Sequence, residues 1–208
     1  MDSPSHAWRD LRDGNRRFVE DTPRHPNQDA DTRHRLTRSQ HPKAVIFGCS
    51  DSRVAAEIVF DQGLGDLFVV RNAGHLVDSS VLGSIEFALD ILEVPLVVVL
   101  GHDSCGAVGA TVNALDTLAL PSGHIRDLVE RVTPSILAGR EAGLETVNEF
   151  VSAHVQQTSA MLIERSKSIA SKTRSGEAAI VGLTYHLTDG AVDVVSAHGE
   201  IDQLPCHG

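Results

Sequence analysis

Positive charge is scarce in this sequence. Lysine and arginine number 18 against 28 acidic residues, leaving a formal net charge of −10 over 208 residues. So acidic a chain offers no basic stripe for a phosphate backbone or an anionic bilayer, and neither nucleic acid nor a membrane is expected as a partner. Long apolar runs are missing too. The longest, residues 94–100, is far shorter than the ~20 residues that a spanning helix needs. Residues 1–20 are polar and lack the apolar stretch of a signal peptide, so the expected compartment is the cytoplasm. No Pro/Gly/Ser-rich linker or internal repeat interrupts the chain, whose length suits one domain with its own core. There are only three cysteines, an odd count that cannot pair fully. In a reducing cytosol, cysteines point to metal binding or catalysis rather than to cross-links.

What is present divides into an arm and a core. Residues 5–20 place Trp8, Leu11, Phe18 and Val19 at roughly helical spacing, which predicts an amphipathic helix. Residues 21–43 are polar, hold Pro23, Pro26 and Pro42, and leave room for a short helix near 32–39. Residues 1–43 thus form an arm with too few apolar residues to fold alone, and a second subunit is a candidate for what it wraps.

From residue 44 strands and helices alternate. Strands are expected at 44–48 (AVIFG), 67–71 (LFVVR), 96–100 (LVVVL), 178–186 and 191–197, the last two joined by a turn at Thr188-Asp189-Gly190. Helices are expected at 52–60, 79–92, 105–118, 124–139 and 144–171. This pattern predicts a single α/β domain. Its core, residues 44–208, would be a mostly parallel central sheet of four strands plus an antiparallel edge strand, flanked by helices.

Two of these strands end in chemically rich loops. The first runs into Cys49-Ser50-Asp51-Ser52-Arg53 and the third into His102-Asp103-Ser104-Cys105-Gly106. In open α/β sheets functional groups gather at the carboxyl ends of strands, so Cys49, His102 and Cys105 converge if the two strands are neighbours. Two thiolates and one imidazole suit Zn2+, and three protein ligands leave the open fourth position of a catalytic site. Lone cysteines are often small buried hydrophobes, but here each follows an apolar strand and has charged neighbours. Cys206 lies too near the terminus to serve as a fourth ligand. Asp51 could bind the metal directly or pair with Arg53, while Ser50, Asp51 and Ser52 are all good helix caps.

The strings CSDSR (49–53) and GHDSCG (101–106), with FVVRNAGHLV (68–77) and GSIEFAL (83–89) between them, resemble the β-class carbonic anhydrases of bacteria. The likeness runs from about Gln40 to the TYHLTDG segment at 184–190. It implies one zinc per subunit on Cys49, His102 and Cys105, with Asp51 and Arg53 as a catalytic dyad. It further implies that Gln40 reaches into a partner subunit's substrate site, that Gly106 lies at the substrate, and that the chain forms a homodimer or homotetramer. The implied reaction is reversible hydration of carbon dioxide to bicarbonate and a proton through zinc-bound hydroxide, which the dyad gates and orients. Because two thiolates already neutralise the metal, activity is expected to rise around or above neutral pH. Asp51 would either close the site at low pH or stay on Arg53 throughout. Some relatives bind a regulatory bicarbonate through a Trp, an Arg and a Tyr. Arg71 and Tyr185 match two of these, but Ile46 stands where the Trp belongs, which argues against such a site.

Other readings fit less well. A zinc nucleoside deaminase needs a P-C-x-x-C that does not occur. A cysteine phosphatase needs a longer loop between Cys49 and Arg53 and leaves the His102/Cys105 pair unexplained. The alternatives that keep the metal are a related hydrolase of carbon disulfide or carbonyl sulfide, and a non-catalytic zinc module. Val54 and Phe68 are candidate apolar walls for carbon dioxide. None of His25, His34 and His41 stands out as a proton shuttle.

Overall fold

A computed structural model describes residues 3–202; Cys206 lies outside them. Helix α1 (Pro4–Val19) starts with Ser3 capping the His6 N–H and Pro4 in the first turn, where its missing N–H costs nothing. Helix α2 (Ala30–Leu36) is capped by Asp29. Strand β1 (Ala44–Cys49) follows, then the one-turn helix α3 (Ala56–Val59), strand β2 (Leu67–Asn72) and a 3-10 turn at Ala73–His75. Helix α4 (Ser79–Asp90) begins where Asp78 accepts from the N–H groups of Ser80 and Val81. Strand β3 (Leu96–His102) leads into α5 (Gly106–Thr117) and α6 (His124–Glu141). Helix α7 (Val147–Arg165) opens with a capping box of Thr146 and Glu149. Helix α8 (Lys167–Ser175) and strands β4 (Ala179–Tyr185) and β5 (Val192–His198) are the last elements among the described residues.

The sheet order is β2-β1-β3-β4-β5. The first four strands are parallel and β5 is the antiparallel edge, as the sequence pattern predicts. Every residue of β1, β3 and β4 is buried, which is why these strands read as continuous apolar runs. Alternation along each strand divides its side chains between two cores. Val45, Phe47, Val97 and Val99 face the larger core with residues of α4, α6 and α7. Ile46, Leu96, Val98 and Leu100 face the other core, where Trp8 and Leu11 of α1 pack.

The structure departs from the expected elements at three places. The helix expected at 52–60 shrinks to α3, because the Arg53 N–H turns back to the Asp51 carboxylate at 2.9 Å and the Val54 N–H to the Asp51 carbonyl at 3.2 Å. The single helix expected at 144–171 breaks at Ser166, whose backbone is extended (φ −122°, ψ 119°). Its hydroxyl donates to Glu86 Oε1 at 2.6 Å and caps the Ile169 N–H of α8. The 3-10 turn at Ala73–His75 had no counterpart in the sequence pattern.

Within the chain the arm is anchored on its own core. Trp8 is 2% exposed and Leu11 fully buried. Asn15 Nδ2 donates to the carbonyls of Val59 and Gly190 at 3.1 and 2.8 Å. Further along, the buried Asp61 carboxylate accepts from Arg17 Nε at 2.6 Å and from the N–H groups of Arg24 and His25. Truncating the anchor removes a large buried ring. Trp8→Ala is expected to cost about 3–5 kcal/mol of stability, measured by equilibrium urea unfolding. A midpoint unchanged from the parent would show that α1 does not hold the second core.

Candidate metal centre

Parallel pairing of β1 with β3, Val45 against Val97 through Gly48 against Leu100, carries both chemically rich strand ends to one edge of the sheet. Cys49 is the last residue of β1, His102 the last of β3, and Cys105 the N-cap of α5. One sulfur or ring-nitrogen atom from each lies within 4.8 Å of the others, and all three residues are buried. Tetrahedral zinc ligands stand about 3.5–4 Å apart, so the cluster is of the right scale to close on such an ion.

The His102 ring is oriented by its own neighbour. Its Nδ1 lies 2.8 Å from the Asp103 carbonyl, which can only accept, so Nδ1 carries a proton. Nε2 faces the sulfurs, is fully buried and has no hydrogen-bond partner. A buried, orphaned ring nitrogen is costly unless something occupies the space before it. The carboxylate of Asp51 comes no nearer than 3.8 Å. Burial opposes charge on His102, but Cys49, the Asp103 carbonyl and Asp51 outweigh it and raise the pKa. The surroundings thus favour a cation where Nε2 and the two sulfurs face one another.

The thiols are tuned in the same sense. The hydrogen bond from Cys105 pulls the Cys49 thiol well down against the opposing effect of burial, and His102 adds to the depression. Cys105, left holding the shared proton and buried, is pushed up, although the N–H groups of Val108 and Ala107 at the start of α5 pull the other way. Two thiols that share one proton beside an imidazole are a donor set suited to zinc, which would displace that proton. The residues present therefore fit the metal.

Asp51 and Arg53 form a fork. Arg53 Nε and Nη2 donate to Asp51 Oδ1 and Oδ2 at 2.9 and 2.7 Å. This pairing holds the Asp51 carboxyl well below the usual carboxylate range, burial opposing it. The fork is itself carried by Arg71 of β2, whose Nε donates to the Cys49 carbonyl at 2.8 Å and Nη2 to the Asp51 carbonyl at 2.7 Å. Asn148 of α7 accepts from the Ser104 N–H at 2.9 Å and supports the other loop, where Ser104 has a positive φ of 52°. Sequence reasoning missed these supports. Arg71 lies inside a matched motif, where the resemblance points only to a bicarbonate ligand, while Asn148 has no local signal at all.

The remaining predicted residues are more dispersed. Gly106 opens α5 directly after Cys105, and a Cβ built there would meet nothing within 4 Å. Gln40 is exposed in the connection from α2 to β1. Ile46 is fully buried, Tyr185 is 5% exposed, and the Arg71 guanidinium is committed to the two carbonyls. Val54 is buried in the α1-side core, and the Phe68 ring packs 6.3 Å from that of Phe87.

Comparison with known proteins agrees with this geometry. The carbonic anhydrase family model matches residues 44–192. The carbonic anhydrase of Mycolicibacterium smegmatis is 59% identical over 202 residues, covering 97% of this chain and 98% of that protein. Carbonic anhydrase 2 of Mycobacterium tuberculosis is 58% identical, covering 90% and 91%. Among solved structures, the β-carbonic anhydrase CcaA superposes with a TM-score of 0.71 at 25% identity, over 90% of this chain and 86% of that one. A tetrameric β-carbonic anhydrase of Sordaria macrospora has the same fold, with a TM-score of 0.74 at 19% identity, over 83% and 90%. The chain belongs to the carbonic anhydrase family, in its β class, and is an enzyme of that family, whose reaction is the zinc-dependent hydration of carbon dioxide.

Because Arg71 ties the Cys49–Asp51 loop by its backbone, Arg71→Leu is expected to lower turnover roughly 10–100-fold, the usual cost of losing an outer support, with zinc content retained. Stopped-flow hydration beside metal analysis checks this. Wild-type turnover in the zinc-loaded variant would show that the loop stands without the guanidinium.

Proposed function

We propose that this chain catalyses the reversible hydration of carbon dioxide to bicarbonate and a proton, with one zinc ion held by Cys49, His102 and Cys105. The observation that carries the reading is the fully buried, unpartnered Nε2 of His102 facing two thiols. When bound there, zinc supplies the Lewis acidity that makes water nucleophilic near neutral pH. The dyad supplies orientation. Asp51, held by both fork nitrogens of Arg53, accepts a hydrogen of the attacking water and so turns a lone pair toward carbon dioxide. Gly106, directly after Cys105 and exposed, is the residue we assign to the substrate. A reducing cytoplasm, which keeps Cys49 and Cys105 as thiols, is the compartment that suits this site.

We further propose that the chain works as a homodimer or homotetramer, its arm of residues 1–43 embracing a second copy so that Gln40 serves the neighbouring site. Two things support this: Gln40 is exposed in its own chain, and the Sordaria macrospora relatives are tetrameric. Light scattering at micromolar concentration is expected to give two or four copies. A fully active monomer would contradict the arm's role.

Stopped-flow carbon dioxide hydration with metal analysis tests the reaction. Cys105→Ser is expected to lose zinc and activity together, and full metal content in that variant would sink the ligand assignment. Arg53→Ala is expected to keep zinc but lose roughly 10–100-fold in turnover, because Asp51 loses the partner that aims it. Turnover of carbon disulfide in preference to carbon dioxide would move the assignment to the related hydrolases.

A further inference from the structure

Between α3 and β2 the turn of residues 61–66 (DQGLGD) grips the arm with the carboxylates at its two ends. Asp61 holds Arg17 Nε and the N–H groups of Arg24 and His25. Asp66, 7% exposed, accepts from Asn27 Nδ2 at 3.1 Å on one oxygen and 2.9 Å on the other. The second oxygen also takes the Gly63 N–H at 2.8 Å, which fixes the carboxylate within its own turn. The main chains meet at the same place. The Leu64 N–H donates to the Asn27 carbonyl at 3.1 Å, and the Lys43 N–H to the Asp66 carbonyl at 2.8 Å. Residues 27 and 43 are thus both tied to one turn, and residues 28–42 between them form a closed loop that carries α2 and Gln40.

Little within the loop fixes where it lies. Of residues 28–41 only Thr32 and Leu36 are not exposed, so the loop has no core of its own and its ends set its place. The turn is shaped to receive those ends. A Cβ at Gly63 would run into the Pro26 carbonyl, and one at Gly65, where φ is 82°, would come to 2.7 Å of Leu36 Cδ2. Glycine at both positions lets the arm lie directly on the turn. On the arm's side His25 and Asn27 are left-handed, with φ 49° and 54°. Non-glycine residues keep that backbone only where their surroundings hold it, and here each is held by one of the two carboxylates. Lys43 stands directly before β1, whose last residue is Cys49, so the clamp also registers the loop against a strand that ends in the cluster.

We propose that Asp66 is a positioning residue that acts across the subunit boundary: by closing the loop 28–42 on the turn 61–66, it sets where Gln40 is presented to the neighbouring copy's site. The inference rests on the reading that Gln40 serves that neighbouring site. It also divides the arm. Residues 4–27 belong to their own core, through Trp8, Asn15, Arg17 and Asn27, and the loop 28–42 is the segment that reaches a second copy. A group delivered from another subunit has no strand or helix of the receiving site to hold it, so its aim depends on the rigidity of its own mounting.

The test uses zinc-loaded hybrids of two differently tagged subunits. One subunit carries Cys105→Ser and holds no metal. The other keeps the live site, which the loop of the metal-free subunit serves. Asp66→Asn preserves shape but sets an amide against the Asn27 amide. Placed in the metal-free subunit, it is expected to lower carbon dioxide hydration by the live site roughly 10–100-fold, the cost of a misplaced group, with zinc content retained. Placed in the live subunit, whose loop serves the dead site, it should keep the parent hybrid's rate. Adding Asn27→Asp to Asp66→Asn reverses the pair, restores the bond and should recover most of the loss. Asn27→Ala cuts the same bond from the loop's side and decides the matter if Asp66→Asn does not fold. The same rate whichever subunit carries the substitution would overturn the role of Asp66. Gln40→Ala in the metal-free subunit tests the reading beneath: the parent hybrid's rate there would instead overturn the service of Gln40 to its neighbour.

Discussion

The parallel ladder between β1 and β3 is the constraint on which the site depends. Cys49 and His102 lie 53 positions apart in the sequence, and neither loop has any local reason to find the other. Four matched positions in the ladder put the two strand ends side by side. Because the side-chain period of a strand is two, a slip of one residue would reverse every apolar contact in both cores. The hydrophobic partition that sends Val45 and Phe47 one way and Ile46 the other is therefore also the alignment device of the metal cluster.

Around that ladder the loops are held mainly through their main chains. Arg71 grips the carbonyls of Cys49 and Asp51, Asn148 the Ser104 N–H, and Asn72 brackets the 3-10 turn by exchanging bonds with the N–H and carbonyl of Leu76. The Asp103 carboxylate receives the Leu187 N–H from beyond β4. The cluster thus sits at the ends of β1 and β3 and the start of α5, with its second loop tied to α7 through Asn148. The Asp51–Arg53 fork stands at its edge, where Arg53 remains half exposed and Asp51 largely covered.

Much of this was legible in the sequence. The strands were legible because burial on both faces leaves unbroken apolar runs, and the meeting of Cys49, His102 and Cys105 because the first two end such runs and the third follows close behind. The breaks were not. Ser166 is an ordinary helical residue until Glu86, on another helix, takes its hydroxyl. The helix expected from Ser52 loses its first turn because the Asp51 carboxylate draws the Arg53 N–H toward the site. Arg71 and Asn148 act on backbone atoms far away in sequence, and no spacing rule marks such a partner. The reach proposed for the arm toward a second copy would likewise be a property of two chains, and one sequence can suggest it only through likeness.

The bond between His102 Nδ1 and the Asp103 carbonyl has an evolutionary side. In many metal sites the imidazole leans on a carboxylate side chain, which a single codon change removes. Here the acceptor belongs to the peptide unit itself, and every amino acid brings the same carbonyl to position 103. The tautomer of the ring is thus inherited with the fold rather than with any side chain. Drift at residue 103 can alter the Leu187 contact or the local charge, but it cannot mutate away the group that turns Nε2 inward.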